Sequence, residues 1–205
     1  MLKLAGELLE GQLADHEVEL DAHIRSPWQE LRTGEYHLFV PFITENASVA
    51  VTADTFYAVP ITIPRRLTVD RIAIRVAGAA GAGKKARLGI YGDGTNLYPG
   101  SLVLDAGEVA VDSTGVKAIT IDQLLDKGRY WLALVSDGTP TVYASVDTLV
   151  SPLGLVETGF NALYVYWSVS FTYAALPDPF TGGGVKNSSG NQRGWAIPLR
   201  LKSLD

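Results

Sequence analysis

The sequence predicts a mainly β protein: an antiparallel β-sandwich or jelly roll, preceded by a short N-terminal helical, coiled-coil segment. The first reason is turn content. Gly and Pro number 21 and 10 in 205 residues, about 15% of the chain against an average near 12%. Many turns imply many short strands. The second is period. From Tyr36 onward the chain holds runs of Val, Ile, Thr and aromatic residues with period two, bounded by turn residues. The third is that only residues 1–24 carry a helical repeat. Strands do not alternate with long amphipathic helices, which argues against a parallel α/β sheet. The chain is therefore expected to divide into a helical oligomerisation and attachment segment, 1–35, and a β-sandwich domain, 36–205.

In the first segment Leu2, Gly6, Leu9, Leu13, His16, Leu20 and His23 recur at spacings of 4 and 3. This is a heptad seam, with Glu7, Glu10, Asp15, Glu17, Glu19 and Asp21 around it. Gly6 and Gly11 each cost about 1 kcal/mol relative to Ala in a helix interior. So short a helix is not stable alone, and a partner must supply the packing. A parallel homotrimer is expected, with Leu2, Leu9, Leu13, His16, Leu20 and His23 as its oligomerisation seam. His16 and His23 then form equivalent layers. Such layers fix register and oligomer number at some cost in stability. Facing imidazoles can alternatively hold an anion or a metal ion; no metal and no cofactor is assigned. Ser26-Pro27-Trp28-Gln29 reads as an N-cap, a first-turn Pro and a capping-box Gln. The short helix it opens should end near Gly34.

The strand candidates are FYAVPITI (56–63), LTVDRIAIRV (67–76), ARLGIY (86–91), GVKAITI (115–121), RYWLALVS (129–136), TVYASV (141–146), ALYVYWSVSFTYA (162–174) and AIPLRL (196–201). In 67–76, Leu67, Val69 and Arg71 alternate with Thr68, Asp70 and Ile72, after which Ile72, Ile74 and Val76 share a face. Strands of this length joined by turns suit an antiparallel sandwich. In 162–174 both faces are apolar, so Tyr164, Tyr166, Trp167, Phe171 and Tyr173 are expected in the core or at a subunit contact. Two stretches are irregular: AGAAGAGKK (77–85), read as a hairpin loop, and LPDPFTGGGVKNSSGNQRG (176–194). Loops as long as the second are usually functional or disordered.

The net charge of −5 makes a general polyanion-binding surface, and so nucleic acid, an unexpected partner. The compact basic groups, Arg65-Arg66 and Lys84-Lys85 with Arg87, read as solvated strand ends. There is no Cys, which removes disulfides, thiol catalysis and Cys-ligated zinc. No apolar run reaches a membrane span and no basic n-region precedes an apolar block, so neither membrane insertion nor classical secretion is expected. The three His, His16, His23 and His37, lie near the N-terminal end, and no G-x-S-x-G is present to complete a serine-hydrolase site. GAAGAG (78–83) precedes a strand rather than a phosphate-binding helix. Asp93, Asp105 and Asp112 sit near turns, where Asp closes Asx-turns. The protein is not expected to be an enzyme.

RLGIYGDGTNLYPGSLVLDAGEV (87–109), with GVKAITI (115–121) and KGRYWLALVSDG (127–138), resembles a β-sandwich module of tailed-bacteriophage structural proteins. That module occurs in tail fibres, appendages and other minor virion proteins. Its run is a strand, a D-G turn, Y-P-G-S, a strand, and then a G-x-Y-W-L-A strand. HEVELDAHIRSPWQELRTGEYH (16–37) is similar to the junction between a fibre's coiled-coil stem and such a head. The chain departs from the pattern in having almost no stem. In physical terms, Asp93-Gly94 is expected to supply a turn with positive φ, and Pro99-Gly100 a second reversal.

The resemblance implies a non-enzymatic virion structural protein, made in the host cytoplasm, in a tail fibre, appendage or receptor-binding module. Its partners are expected to be itself, other virion proteins and, as a candidate, a host surface glycan. A capsid decoration or head-fibre protein that stabilises the shell is the alternative. A carbohydrate-binding or polysaccharide-degrading protein is the alternative of another class. Binding residues concentrate on loops, so Phe180, Asn187, Asn191, Gln192, Arg193 and Trp195 in and beside 176–194 are the candidate partner contacts. Amides and guanidinium can bond sugar hydroxyls while a ring covers the apolar sugar face. The competing expectation is a solvated connection, or an arm packed on a neighbouring subunit.

Overall fold

The computed structural model describes residues 31–39, 47–146, 153–158, 163–187 and 193–204. The chain divides into two units, Met1–Arg32 and Thr33–Asp205, and the second carries every strand among the described residues. The seam residues Leu2, Leu9, Leu13, His16, Leu20 and His23, and the cap at Ser26, lie outside the described residues.

The strands are β1 (Tyr36–His37), β2 (Ala47–Ala50), β3 (Thr55–Ile63), β4 (Leu67–Gly78), β5 (Lys85–Asp93), β6 (Pro99–Ala110) and β7 (Gly115–Leu125). They continue as β8 (Gly128–Ser136), β9 (Thr141–Val146), β10 (Tyr166–Ser170), β11 (Val185–Asn187), β12 (Arg193–Trp195) and β13 (Leu199–Leu204). One antiparallel sheet has the order β11-β10-β3-β8-β5-β6. The other runs β1-β13-β4-β9-β12, with β2 also on β9 and β7 also on β4. The protein is thus mainly β, two antiparallel sheets packed as a sandwich, with no helix among the described residues. Consecutive strands change sheet repeatedly. Residues 79–84 join β4 to β5 across the two sheets, so the expected hairpin at AGAAGAG is instead a crossover.

The core between the sheets follows from alternation, with one correction. Leu67, Val69, Ile72, Ile74 and Val76 are all buried, although strict alternation would put the first two opposite the last three. A β-bulge resolves this. Pairing with β7 and with β13 both skip Asp70, passing from Val69 to Arg71. The extra residue shifts the side-chain phase by one and returns Ile72 to the core face. Asp70 itself takes a two-pronged bond from Arg200, Nε to Oδ1 at 2.7 Å and Nη2 to Oδ2 at 2.7 Å.

The region around Asp93 departs from expectation in two places. Gly94 does not hold the positive φ. Asn96 and Leu97 do, both at 56°, closing a two-residue turn in which Tyr98 N donates to Thr95 O at 3.2 Å. Gly94 is required for closeness instead: a Cβ there would lie 2.7 Å from Tyr98 O. Pro99 and Gly100 begin β6, Pro99 opposite Asp93, so they do not reverse the chain. ALYVYWSVSFTYA also forms less strand than expected. Among the described residues Tyr166–Ser170 forms β10 and Leu163 makes an isolated bridge to Leu155; past Ser170, Phe171 N bonds Asp54 O at 2.9 Å and the chain leaves the sheet.

Beyond Phe171 the chain covers the outer face of the β3–β8–β5 sheet. There Phe56, Ala58, Tyr91, Trp131, Ala133 and Val135 form one apolar cluster with Leu176 and Phe180. Meanwhile Leu88, Ile90, Leu132 and Leu134, on the alternate positions, are buried towards the other sheet. The central strands are therefore buried on both sides, one by a sheet and one by a strap formed by residues 171–184.

Candidate binding site

The strap is fixed by hydrogen bonds at nearly every turn. Tyr173 N donates to Asp54 Oδ1 at 2.8 Å and Leu176 N to Asp105 Oδ2 at 3.1 Å. Tyr91 donates its hydroxyl to Pro177 O at 2.6 Å, and Leu102 N reaches Asp178 Oδ1 at 2.9 Å. Phe180 N donates to Gly100 O at 3.0 Å. Burial pushes the Tyr91 hydroxyl well above the usual phenol range, so it stays protonated and donating.

Asp105 is the hub. It precedes a bulge in β6, where Gly107 adopts φ 93° and donates its N–H to Asp105 Oδ1 at 3.0 Å. Its other oxygen takes Arg87 Nη1 at 2.7 Å beside the Leu176 bond. Glu108 accepts from Lys85 Nζ at 3.0 Å and from the Tyr173 hydroxyl at 3.0 Å. Of the basic groups read from the sequence, Lys85 and Arg87 therefore serve this network, and Arg66 pairs with Asp126 at 3.5 Å.

The Lys85 and Tyr173 bonds hold the Glu108 carboxyl below its ordinary value of 4.5, and Arg200 holds Asp70 below 3.8. Both groups are easier to deprotonate folded than unfolded. Their contribution is therefore complete above the ordinary values and is lost as pH falls through the lower folded ones. Acid titration of stability should show this as a loss beginning below about pH 4.5. Glu108→Gln should flatten that part of the curve and cost about 0.2–1 kcal/mol at neutral pH, the range of partly exposed pairs. An unchanged curve for Glu108→Gln would remove Glu108 from the network.

One recess opens where strap and hairpin meet. The β5–β6 hairpin tip bends over the strap towards β10, and a depression of about 340 Å³ is lined by Thr95, Asn96, Tyr98, Trp167, Gly183 and Gly184. Trp167 and Tyr98 meet edge to face, ring centroids 4.9 Å apart. Trp167 Nε1 donates to Leu97 O at 2.7 Å. The Tyr98 hydroxyl donates to Thr181 O at 2.6 Å and accepts from Gly184 N at 2.9 Å. Gly184 is needed here, since a Cβ would come within 2.6 Å of that hydroxyl oxygen. No family model and no curated protein matches the chain.

The residues expected to contact a partner fall in several places. Phe180 is buried, stacked on Phe56 at 4.4 Å and edge-on to Tyr91. Trp195 is buried between the sheets against Tyr57 and Tyr166, at 4.1 and 4.6 Å. Neither ring is open to a sugar; both went to the core because each met an aromatic cluster. Asn187 lies in β11 and donates to Ser168 Oγ at 2.7 Å. Arg193 pairs through its backbone with Val146, and its side chain lies outside the described residues, as do Asn191 and Gln192. Of the three Asp expected at turns, Asp112 bonds Ser113 locally, Asp105 bonds Gly107 locally and also accepts from Arg87 and Leu176, and Asp93 Oδ1 accepts from Trp131 Nε1 at 2.9 Å. Sequence reading did not assemble the recess. Trp167 was legible as an aromatic and TNLYPG as turn-like, but nothing local pairs them across 70 residues.

Proposed function

We propose that the chain is a non-enzymatic bacteriophage virion structural protein. In this reading it is a tail-fibre or appendage module with a jelly-roll-type sandwich, trimeric through residues 1–35, that contacts the host surface. The reading rests on the likeness of 87–109 and 127–138 to phage modules. The observation that supports it is that two parts of that run are bonded to each other, Asp93 at the end of β5 accepting from Trp131 Nε1 in β8 at 2.9 Å. The polar groups of that run are committed to structure: Asp93 to Trp131, Tyr91 to Pro177, and Arg87 to Asp105. Such a unit is a rigid scaffold, and its hairpin tip forms one wall of the recess.

Three measurements test this. Antibody raised to the chain should label the tail of intact particles in electron micrographs. The soluble chain should sediment at three times its 22.0 kDa mass. Label on the capsid would favour a decoration protein instead. A monomer would remove the trimeric stem, and release of sugar ends from host polysaccharide would make the protein an enzyme.

A further inference from the structure

We infer that the recess between the hairpin tip and the strap is a binding site for an uncharged saccharide unit, with the Trp167 and Tyr98 rings as its apolar walls. The inference rests on the binding-module reading above and names its ligand class.

Both rings are held before any ligand arrives. The Trp167 N–H is taken by Leu97 O, and the Tyr98 hydroxyl is taken twice, by Thr181 O and Gly184 N. With their polar ends committed, the rings offer a ligand carbon surface rather than hydrogen bonds. A pyranose presents the complementary surface, the C–H groups of one ring face. Fixed aromatic area costs little entropy to use.

The rim supplies what a sugar's hydroxyls need. Thr95 contributes a hydroxyl and Asn96 an amide, and neither side chain has a hydrogen-bond partner among the described residues. An amide presents an acceptor and two donors on one short side chain, which suits neighbouring hydroxyls. Asn96 is carried at φ 56° on the turn, which Asn tolerates better than most residues. Gly183 and Gly184 add no side chain to the mouth.

Charge and size narrow the class. None of the lining residues is Lys, Arg, Asp or Glu. An acidic sugar would bring a carboxylate with no cation lining the recess to meet it, near a chain of net charge −5. The volume of about 340 Å³ lies at the small end of ligand sites, room for one or two sugar rings.

The test uses the full chain, labelled with ¹⁵N, titrated with methyl glycosides of glucose, galactose, mannose, rhamnose and N-acetylglucosamine. Glucuronic and N-acetylneuraminic acids form the charged arm. At least one neutral probe should shift the Trp167 indole N–H and the Gly183 and Gly184 amides together, with millimolar affinity. Asn96→Gly keeps the positive φ and removes the amide; it should weaken that affinity up to about tenfold, the value of one lost hydrogen bond. Trp167→Phe keeps a ring and should weaken it less than Trp167→Ala. Silence of those signals with every neutral probe, binding of the acids alone, or shifts unchanged in Asn96→Gly and Trp167→Ala would each overturn the site. Tail labelling is independent of all of these. A labelled tail with a silent recess removes only this inference, and a responsive recess in a chain absent from virions removes only the virion reading.

Discussion

Phe180→Ala should destabilise the sandwich domain by about 3–5 kcal/mol, the range for emptying a buried aromatic site. The ring is 4% exposed and fills the space between Phe56, Tyr91 and Tyr98, at 4.4, 5.3 and 5.7 Å. It also sits where the strap crosses the start of β6, its N–H bonded to Gly100 O. Removing it opens a cavity, and it loosens the strap that covers Trp131 and Ala133. For a domain of this size each kcal/mol lowers Tm by roughly 2–4 °C, so thermal and urea unfolding would both register the change. A loss within about 0.5 kcal/mol would be the behaviour of a surface residue. It would return Phe180 to the role of a partner contact and make the strap a detachable arm.

The strap shows why part of this fold was legible and part was not. FYAVPITI and RYWLALVS are apolar on both faces, and both became central strands buried on both sides, β3 and β8. That pattern demands a second cover. A sandwich whose strands are not interleaved with helices can take the second cover from a loop or from a neighbouring subunit. The demand was in the sequence; the loop that answers it was not. LPDPFTGGG has the composition of a solvated connection, and only Leu176 and Phe180 mark it otherwise. The strap's contacts, such as Tyr91 to Pro177, span as many as 86 residues, a separation that no local pattern encodes.

The same limit explains the smaller departures. The bulge at Asp70 leaves one trace in the sequence, a slip of the apolar phase between Val69 and Ile72. A polar residue at the slip looks the same as ordinary alternation until the partner strands are known. At the hairpin, Asp93-Gly94 carries the stronger turn signal by composition, yet the turn closes at Asn96-Leu97. The Asp93 carboxylate is committed to Trp131, which keeps Asp93 in the strand and moves the reversal outward. The recess depends on that displacement, because it carries Asn96 and Tyr98 out to meet Trp167.

Gly89→Ala should likewise be costly, by about 1–3 kcal/mol as for other overpacked sites, although Gly to Ala within a strand ordinarily helps. Replacing Gly reduces the entropy of the unfolded chain and is worth about 0.4–1 kcal/mol where the folded backbone accepts it. Gly89 is buried on the outer face of β5, beneath the strap and opposite the β6 bulge. A Cβ there would run into the Leu176 side chain and come within 2.7 Å of Leu104 O. The two obstacles differ in kind. Leu176 is a flexible side chain and can be removed by Leu176→Ala. Leu104 O is backbone in the strand next to Gly89, and it cannot retreat without disturbing the β5–β6 ladder. The double variant should therefore recover only the strap's share of the Gly89→Ala penalty, and a double-mutant cycle separates the two shares. Full recovery would place the whole obstacle in the strap. A stabilised Gly89→Ala would mean that neither strap nor bulge crowds β5 closely enough to exclude a methyl group.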